Sequence, residues 1–254
     1  MLPAVSVVIP CFNEAERIGE SLRVTLDYLE KSAPGSELIV INDGSTDATG
    51  QRIREVFAEP TNTEKHLLEN FPNRGKGAAV RTGLLSATRS IGLFTDADLS
   101  TPIDEIPKLV EPIAADEVDI AFGSRALNRQ LIGHHQPWRR EQAGRVFNLV
   151  VRLATGLPFW DTQCGFKAFR LSVCRPILEA ARVIGFGFDV ELLYLARKAH
   201  LRMREIPVRW NHCEGSKIRV VRDSVHMLRE ILSLRRGANG TALAAARAES
   251  KPGA

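Results

Sequence analysis

The sequence has no apolar run long enough to cross a membrane. In 254 residues, no stretch approaches the ~20 consecutive apolar residues that a membrane-spanning helix needs. The segment Met1–Pro10 lacks a basic region, and its apolar run is too short for a secretory signal. We therefore expect a cytoplasmic protein, either free or lying peripherally at the inner face of the membrane.

Cysteine is scarce and shows no motif spacing. Cys11, Cys164, Cys174 and Cys213 form no Cys-x-x-Cys pair. We interpret them as small, mostly buried thiols in a reducing compartment.

The sequence also lacks a basic run interleaved with aromatic residues. The formal net charge is +4, but basic and acidic residues are interspersed over most of the chain. We therefore predict no nucleic-acid partner, with RNA kept only as a remote alternative. The basic excess lies late, since residues 201–240 hold nine Lys and Arg against four Asp and Glu. This bias fits a phosphate-bearing ligand or peripheral contact with an anionic membrane surface.

What the sequence does contain is a long alternation of strand-like and helix-like segments, which predicts an α/β fold with a parallel, doubly wound sheet. The predicted strands are Val5–Pro10, Glu37–Asn42, His66–Asn70, Ile91–Thr95, Val118–Phe122 and Leu201–Val208. The predicted helices are Glu14–Lys31, Thr46–Glu59, Gly77–Ser86, Ile103–Ala114, Val146–Leu153, Phe188–Lys198 and Val220–Leu234. The last helix packs on the sheet or lies on a membrane surface. Residues 126–145 are predicted as a polar loop.

Polar or glycine-rich segments follow four of the predicted strands. They are Cys11–Glu14, Asp43-Gly44, Asp96–Asp98 and Gly123–Arg125. Because ligands bind beyond the carboxyl ends of strands in such sheets, we expect the four segments to converge on one crevice.

Asp96-Ala97-Asp98 carries the strongest chemical signal among them. Two carboxylates side by side repel each other and lose hydration unless a cation lies between them. Oxygen ligands suit Mg²⁺ or Mn²⁺, which in turn favour diphosphates. Taken alone, the motif is weak evidence, because a turn with a solvated acidic pair is the commoner origin of this pattern.

Together these segments resemble the family 2 glycosyltransferases of GT-A fold. Blocks at 161–167, 188–194 and 214–217 look like the dolichyl-phosphate β-glucosyltransferase branch, and the match runs from about Val5 to Leu234. The resemblance implies one GT-A (Rossmann-like) domain over residues 1–236, with a mainly parallel central sheet flanked by helices. Its nucleotide-sugar half would span about 1–125 and its acceptor half about 126–236. The tail 237–254 is expected to be disordered.

The resemblance implies an inverting transfer of a hexose, glucose from UDP-glucose, to a polyprenyl phosphate. Asp43 would accept from the uracil edge, Asp96 would lie by the ribose or the metal, and Asp98 would coordinate the Mg²⁺ or Mn²⁺ that bridges the diphosphate. The nucleotide-sugar residues would be Pro10, Phe12, Asn13, Glu14, Asp43, Lys76, Asp96, Ala97 and Asp98. A polyprenyl phosphate is already ionised and needs cations rather than a base. The acceptor residues would be Arg125, Arg140, Gln163 and Lys217.

A soluble acceptor remains an alternative to the polyprenyl phosphate, because Glu141 lies beside Arg140 and would repel a phosphate. The hydroxyl of a small metabolite such as a nucleoside would need a carboxylate base, supplied by Glu141, Asp161, Asp189 or Glu191. Asp161 and Asp189 are equally compatible with capping roles. A non-catalytic nucleotide-binding protein is the alternative from another class. UDP over GDP, and glucose over other hexoses, rest on the resemblance alone.

Overall fold

The computed structural model describes residues 2–134, 138–213 and 230, apart from the side chains of residues 138–141 and 143. Its strands are β1 Val5–Cys11, β2 Glu37–Asp43, β3 Glu64–Asn70, β4 Ile91–Thr95, β5 Ile120–Ser124, β6 Ile132–His134, β7 Phe166–Arg170, β8 Met203–Pro207 and β9 Trp210–Asn211. Its helices are α1 Ile18–Ser32, α2 Thr49–Ala58, α3 Lys76–Ser86, α4 Ile106–Ala114, α5 Trp138–Thr155, α6 Leu171–Ala180 and α7 Phe188–Lys198.

The central sheet has seven strands in the order β3-β2-β1-β4-β7-β5-β8. All neighbouring strands in it pair in parallel except at β7, which is antiparallel to both β4 and β5. The predicted mainly parallel α/β fold is therefore confirmed.

Helices cover both faces of the sheet, so its inner strands are buried on both sides. In β1 and β4, Val8 and Phe94 belong to one apolar cluster with residues of α3, α6 and α7. Their neighbours Val7 and Leu93 belong to the other cluster, with residues of α1, α2 and α4. This alternation explains why these strands read as continuous apolar runs in the sequence.

Strand β7 and helix α6 are the main elements that the sequence prediction missed. Strand β7 carries Lys167 as its second residue, and a charged residue argues against a buried strand. The structure buries this lysine completely, because its ammonium group has partners inside the fold. Tertiary pairing thus overrides the sequence pattern at this position.

The predicted loop over residues 126–145 is wrong in its second half. Helix α5 begins at Trp138 rather than at Val146. Before it, β6 pairs with β9 in a separate two-stranded sheet. The predicted helix Val220–Leu234, apart from the helical residue 230, and the predicted tail 237–254 lie outside the described residues.

Two further predictions concern the cysteines and the membrane. Cys11, Cys164 and Cys174 are buried free thiols and Cys213 is partly buried, as expected. Over the described parts of the chain, no helix combines the length and the apolar character needed to cross a bilayer.

Candidate active site

The ends of four strands form one polar edge of the sheet. Strands β1, β2, β4 and β5 run in the same direction and end at Cys11, Asp43, Thr95 and Ser124. The residues that follow them are the ones predicted to line a crevice. Pro10 lies within β1 and is buried, whereas Phe12, directly after this strand, is exposed.

The segment after β1 is tied to the loop after β2. Asn13 adopts a left-handed conformation with φ of 54°. Its backbone N–H donates to Ser45 Oγ at 2.9 Å, and its Oδ1 accepts from Thr46 N at 2.7 Å. Glu14 N donates to Thr49 Oγ1 at 2.7 Å. Hydrogen bonds therefore hold the two loops together at the carboxyl ends of β1 and β2.

Asp43 organises the turn that leads into α3. Its Oδ1 accepts from Asn70 Nδ2 at 2.7 Å and from Arg74 N at 3.0 Å, and its Oδ2 accepts from Gly75 N at 2.8 Å. A carboxylate can accept about four hydrogen bonds, so these three leave room for one more. Asp43 is therefore first a structural anchor, and one acceptor position stays compatible with a ligand.

Lys76 at the start of α3 pairs with Asp96 after β4. Their Nζ and Oδ1 atoms lie 2.6 Å apart. Burial alone would lower the pKa of Lys76, but Asp96 and, with less effect, Asp189 outweigh it and raise this pKa. Gly165 packs tightly on the same carboxylate, since a Cβ at this residue would lie 2.1 Å from Asp96 Oδ2. Asp96 thus lies between the ammonium group of Lys76 and the backbone of Gly165, and a side chain at residue 165 would displace its carboxylate.

Asp98 lies in a tight turn directly after Asp96. Its Oδ1 accepts from Ser100 N at 2.9 Å, and Leu99 between them has φ of 47°. Ala97 is buried, so the two carboxylates flank a packed residue. The donor set consists of carboxylate oxygens at a polar strand end, which fits a hard divalent ion such as Mg²⁺ or Mn²⁺.

Arg125, directly after β5, forms a bidentate ion pair with Asp161. Nε and Nη2 of Arg125 lie 2.7 and 2.8 Å from the two oxygens of Asp161. The carboxylate also accepts from Arg125 N at 3.0 Å and from Gln163 N at 3.2 Å, so it does cap its loop. Burial would raise the pKa of Asp161, but Arg125 outweighs it and holds this pKa below its usual range. Asp161 is therefore an ionised partner of Arg125.

Asp189 forms a buried ion pair with Lys167 of the missed strand. Lys167 Nζ lies 2.5 Å from Asp189 Oδ1 and also donates to Cys164 O at 2.6 Å. Burial raises the pKa of Asp189, and Lys167 and Lys76 offset only part of this effect. Capping of α7 is not what this side chain does, since its observed partner is the lysine.

Glu191 is occupied by backbone groups rather than by the crevice. Its two oxygens accept from the backbone N–H groups of residues 182 and 183 at 2.9 and 2.8 Å. The next residue, Ile184, accepts from Gly77 N at 2.8 Å. Glu191 therefore supports the segment against which the start of α3 rests.

Sequence reasoning missed one acid that organises this region. Glu205 of β8 accepts from Ser124 Oγ at 2.6 Å and from the backbone N–H groups of residues 160 and 161 at 2.9 and 2.7 Å. Its only signal was an acid inside a predicted strand. The side chains of Arg140 and Glu141, in α5, and Lys217 lie outside the described residues.

The mainly parallel seven-stranded sheet, with carboxylates and cations beyond its strand ends, has the GT-A fold of nucleotide-sugar transferases. The family model "Glycosyl transferase family 2" matches residues 6–178, and the chain belongs to this family.

Similar proteins include dolichyl-phosphate β-glucosyltransferases from two model eukaryotes. The Drosophila melanogaster enzyme is 38% identical over 226 residues, which cover 84% of this chain and 69% of that protein. The Saccharomyces cerevisiae enzyme is 32% identical over 249 residues, which cover 91% and 74%.

Among solved structures, the chain resembles glucosyl-3-phosphoglycerate synthase from Mycobacterium tuberculosis in complex with Mn²⁺, UDP and glucosyl-3-phosphoglycerate. The TM-score is 0.65 at 19% identity, over 91% of this chain and 78% of that one. This likeness concerns the fold.

Proposed function

We propose that this protein transfers glucose from UDP-glucose to a polyprenyl phosphate of the dolichyl type, with inversion at the anomeric carbon. The observation that carries the proposal is the pairing of Lys76 with Asp96 next to Asp98, at the carboxyl end of β4. The names of the related dolichyl-phosphate β-glucosyltransferases support glucose as the sugar and dolichyl phosphate as the acceptor.

On the donor side, we assign uridine binding to Pro10, Phe12, Asn13, Glu14 and Asp43. Asp98 would hold the divalent ion, with Asp96 and the backbone of Ala97 beside it. When bound, that ion supplies positive charge that stabilises the departing diphosphate. Lys76 places a second cation in the same region, and its raised pKa keeps it protonated at neutral pH.

On the acceptor side, three of the four candidate bases have fixed partners, which favours an acceptor that is already ionised; the side chain of the fourth, Glu141, lies outside the described residues. Asp161 is paired with Arg125, Asp189 with Lys167, and Glu191 with two backbone amides. A general base must reach the proton that it abstracts, and these three carboxylates are directed to other partners. A phosphate needs no base, whereas the soluble hydroxyl acceptor needs one.

Arg125 keeps the capacity to bind a phosphate although it is paired. An arginine side chain has five N–H donors, and Asp161 takes two of them. The ion pair also fixes the orientation of the guanidinium group before a ligand arrives. We assign the acceptor phosphate to Arg125, with Arg140, Gln163 and Lys217 as further candidates.

Peripheral membrane contact is the remaining part of the proposal. On α5, Val146, Leu149 and Leu153 are 63%, 53% and 74% exposed, and their spacing places them on one helix face. Trp160 follows this helix and is 56% exposed. An apolar stripe of this kind suits the surface of a bilayer that contains a lipid acceptor.

The proposal is tested by incubating the protein with labelled UDP-glucose, Mg²⁺ and dolichyl phosphate, followed by solvent partition. We expect label in the organic phase from the unaltered protein and from Asp27→Asn, an exposed control on α1. Asp98→Asn should reduce this product at least 100-fold, in line with the loss of one transition-state charge contact. Label that appears only in new aqueous products would refute the lipid acceptor. Equal activity of Asp98→Asn would refute the assigned donor site.

A further inference from the structure

A second group of possible metal ligands lies at the opposite edge of the sheet from the crevice. Glu37 begins β2, and Glu64 and His66 lie at the start of β3. Each of these strands has seven residues, and the crevice residue Asp43 ends β2. At ~3.3 Å per residue, the amino end of β2 at Glu37 lies roughly 20 Å from its carboxyl end at Asp43. The cluster is therefore separate from the donor site.

The three candidate ligand atoms of the cluster lie close enough together to contact one metal ion. Glu64 and His66 are two residues apart on one strand and share a face. His66 Nε2 is 3.0 Å from Glu64 Oε1 and 3.3 Å from Glu37 Oε2, and the three atoms lie within 4.8 Å of one another. Tetrahedral Zn²⁺ with bonds of ~2.0–2.2 Å requires ligand separations of roughly 3.3–3.5 Å. Small side-chain shifts would complete this geometry.

The buried atoms of the cluster have no other use in the described part of the chain. The side chain of Glu37 has 0% exposure, yet its Oε2 has no hydrogen-bond partner there. Nε2 of His66 is also buried and has none. These two atoms are close enough for a hydrogen bond, but their relative orientation does not allow one. A metal ion between them would satisfy both, since a buried polar atom without a partner is costly.

The surrounding groups hold the carboxylates in place. Glu37 Oε1 accepts from Ser6 Oγ at 2.6 Å and from N and Oγ1 of Thr88 at 2.7 and 2.8 Å. Arg89 Nη2 donates to Glu64 Oε2 at 2.8 Å. In both carboxylates one oxygen is fixed and the other faces the cluster. Such outer hydrogen bonds are typical of metal sites, where they orient the ligands.

From this geometry we propose that Glu37, Glu64 and His66 form a three-residue Zn²⁺ site. The ion takes one oxygen from each carboxylate and Nε2 of the neutral imidazole. A water molecule occupies the fourth position, on the side where Glu64 and His66 are 50% and 39% exposed. The ion joins β3, which is an edge strand, to β2.

The test is a Zn²⁺ titration of metal-free protein in the Asp98→Asn background, with millimolar Mg²⁺ present to occupy any remaining donor-site ligands. We expect one equivalent of Zn²⁺ and a rise in Tm of roughly 5 °C at saturation. His66→Gln should abolish this binding, and Glu64→Gln should weaken it at least tenfold. Glu20→Gln, an exposed acid on α1, serves as the matched control and should bind like the parent.

Equal Zn²⁺ binding by the parent and by His66→Gln would overturn the proposal, as would the absence of binding to the parent. A spectroscopic measurement covers the case in which His66→Gln does not fold. Co²⁺ bound to the unaltered protein in excess Mg²⁺ should give the intense visible absorption of a tetrahedral site. A weak octahedral spectrum would refute the site.

Discussion

The buried pair of Arg125 and Asp161 gives the sharpest prediction for Asp161→Asn. Asparagine keeps the shape and one acceptor oxygen, so the loop bond from Gln163 N can persist. It removes the charge that faces the guanidinium at 2.7 and 2.8 Å. Breaking a buried ion pair costs about 3–5 kcal/mol. Since the Arg125 side chain is 29% exposed and can regain some water, we expect the lower end, about 3 kcal/mol.

This loss is measured by urea unfolding and by thermal melting. A change of about 3 kcal/mol corresponds to a fall in Tm of roughly 6–12 °C for a chain of this size. The matched control is Asp27→Asn, which breaks the exposed pair with Lys31 and should cost less than about 0.5 kcal/mol. Adding Arg125→Met to Asp161→Asn removes the uncompensated charge, so the double variant should regain stability relative to the single one.

The same pair also sets a pH dependence. The pKa of Asp161 is lowered in the folded state, so the stability that its charge contributes is present above the ordinary aspartate pKa of ~3.9 and is lost as pH falls through the lowered value. The stability gap between the unaltered protein and Asp161→Asn should therefore narrow below about pH 4. A loss of activity without any loss of stability would refute the structural role and restore Asp161 as a candidate base.

Three further predictions follow from single contacts. Gly165→Ala should place a methyl group 2.1 Å from Asp96 Oδ2 and displace that flexible carboxylate. We therefore expect kcat/KM to fall roughly 100-fold with little change in Tm. The control Gly144→Ala, where a Cβ meets open space, should leave kcat/KM unchanged. Glu191→Gln should leave one of the two part-buried amides at 182 and 183 without an acceptor and lower stability by about 1 kcal/mol, with a higher KM for UDP-glucose. Unchanged unfolding would contradict this role. Leu153→Glu should weaken sedimentation with anionic vesicles while Tm stays constant, and equal binding would exclude α5 as a membrane-contacting face.

The sequence by itself determined the fold class and the places where polar residues leave the sheet. Strands β1, β2 and β4 are buried on both faces, so their apolar runs are read directly as strands of a parallel sheet. Because parallel strands bring their carboxyl ends to one edge, the positions of Asn13, Asp43 and Asp96 were also predictable. These features follow from the local sequence, so they can be predicted without knowing which residues lie nearby in the folded protein.

Only the tertiary structure decided which charges neutralise each other. Three features depend on contacts between distant segments. They are the burial of Lys167 in a strand, the pairing of Arg125 with Asp161 over 36 positions, and the cluster of Glu37 with His66. A sequence pattern reports burial and periodicity, but the cost of burying a charge depends on what lies opposite it in space. For this reason Asp161, Asp189 and Glu191 read as possible bases in the sequence, and the fold gives each of them a fixed partner.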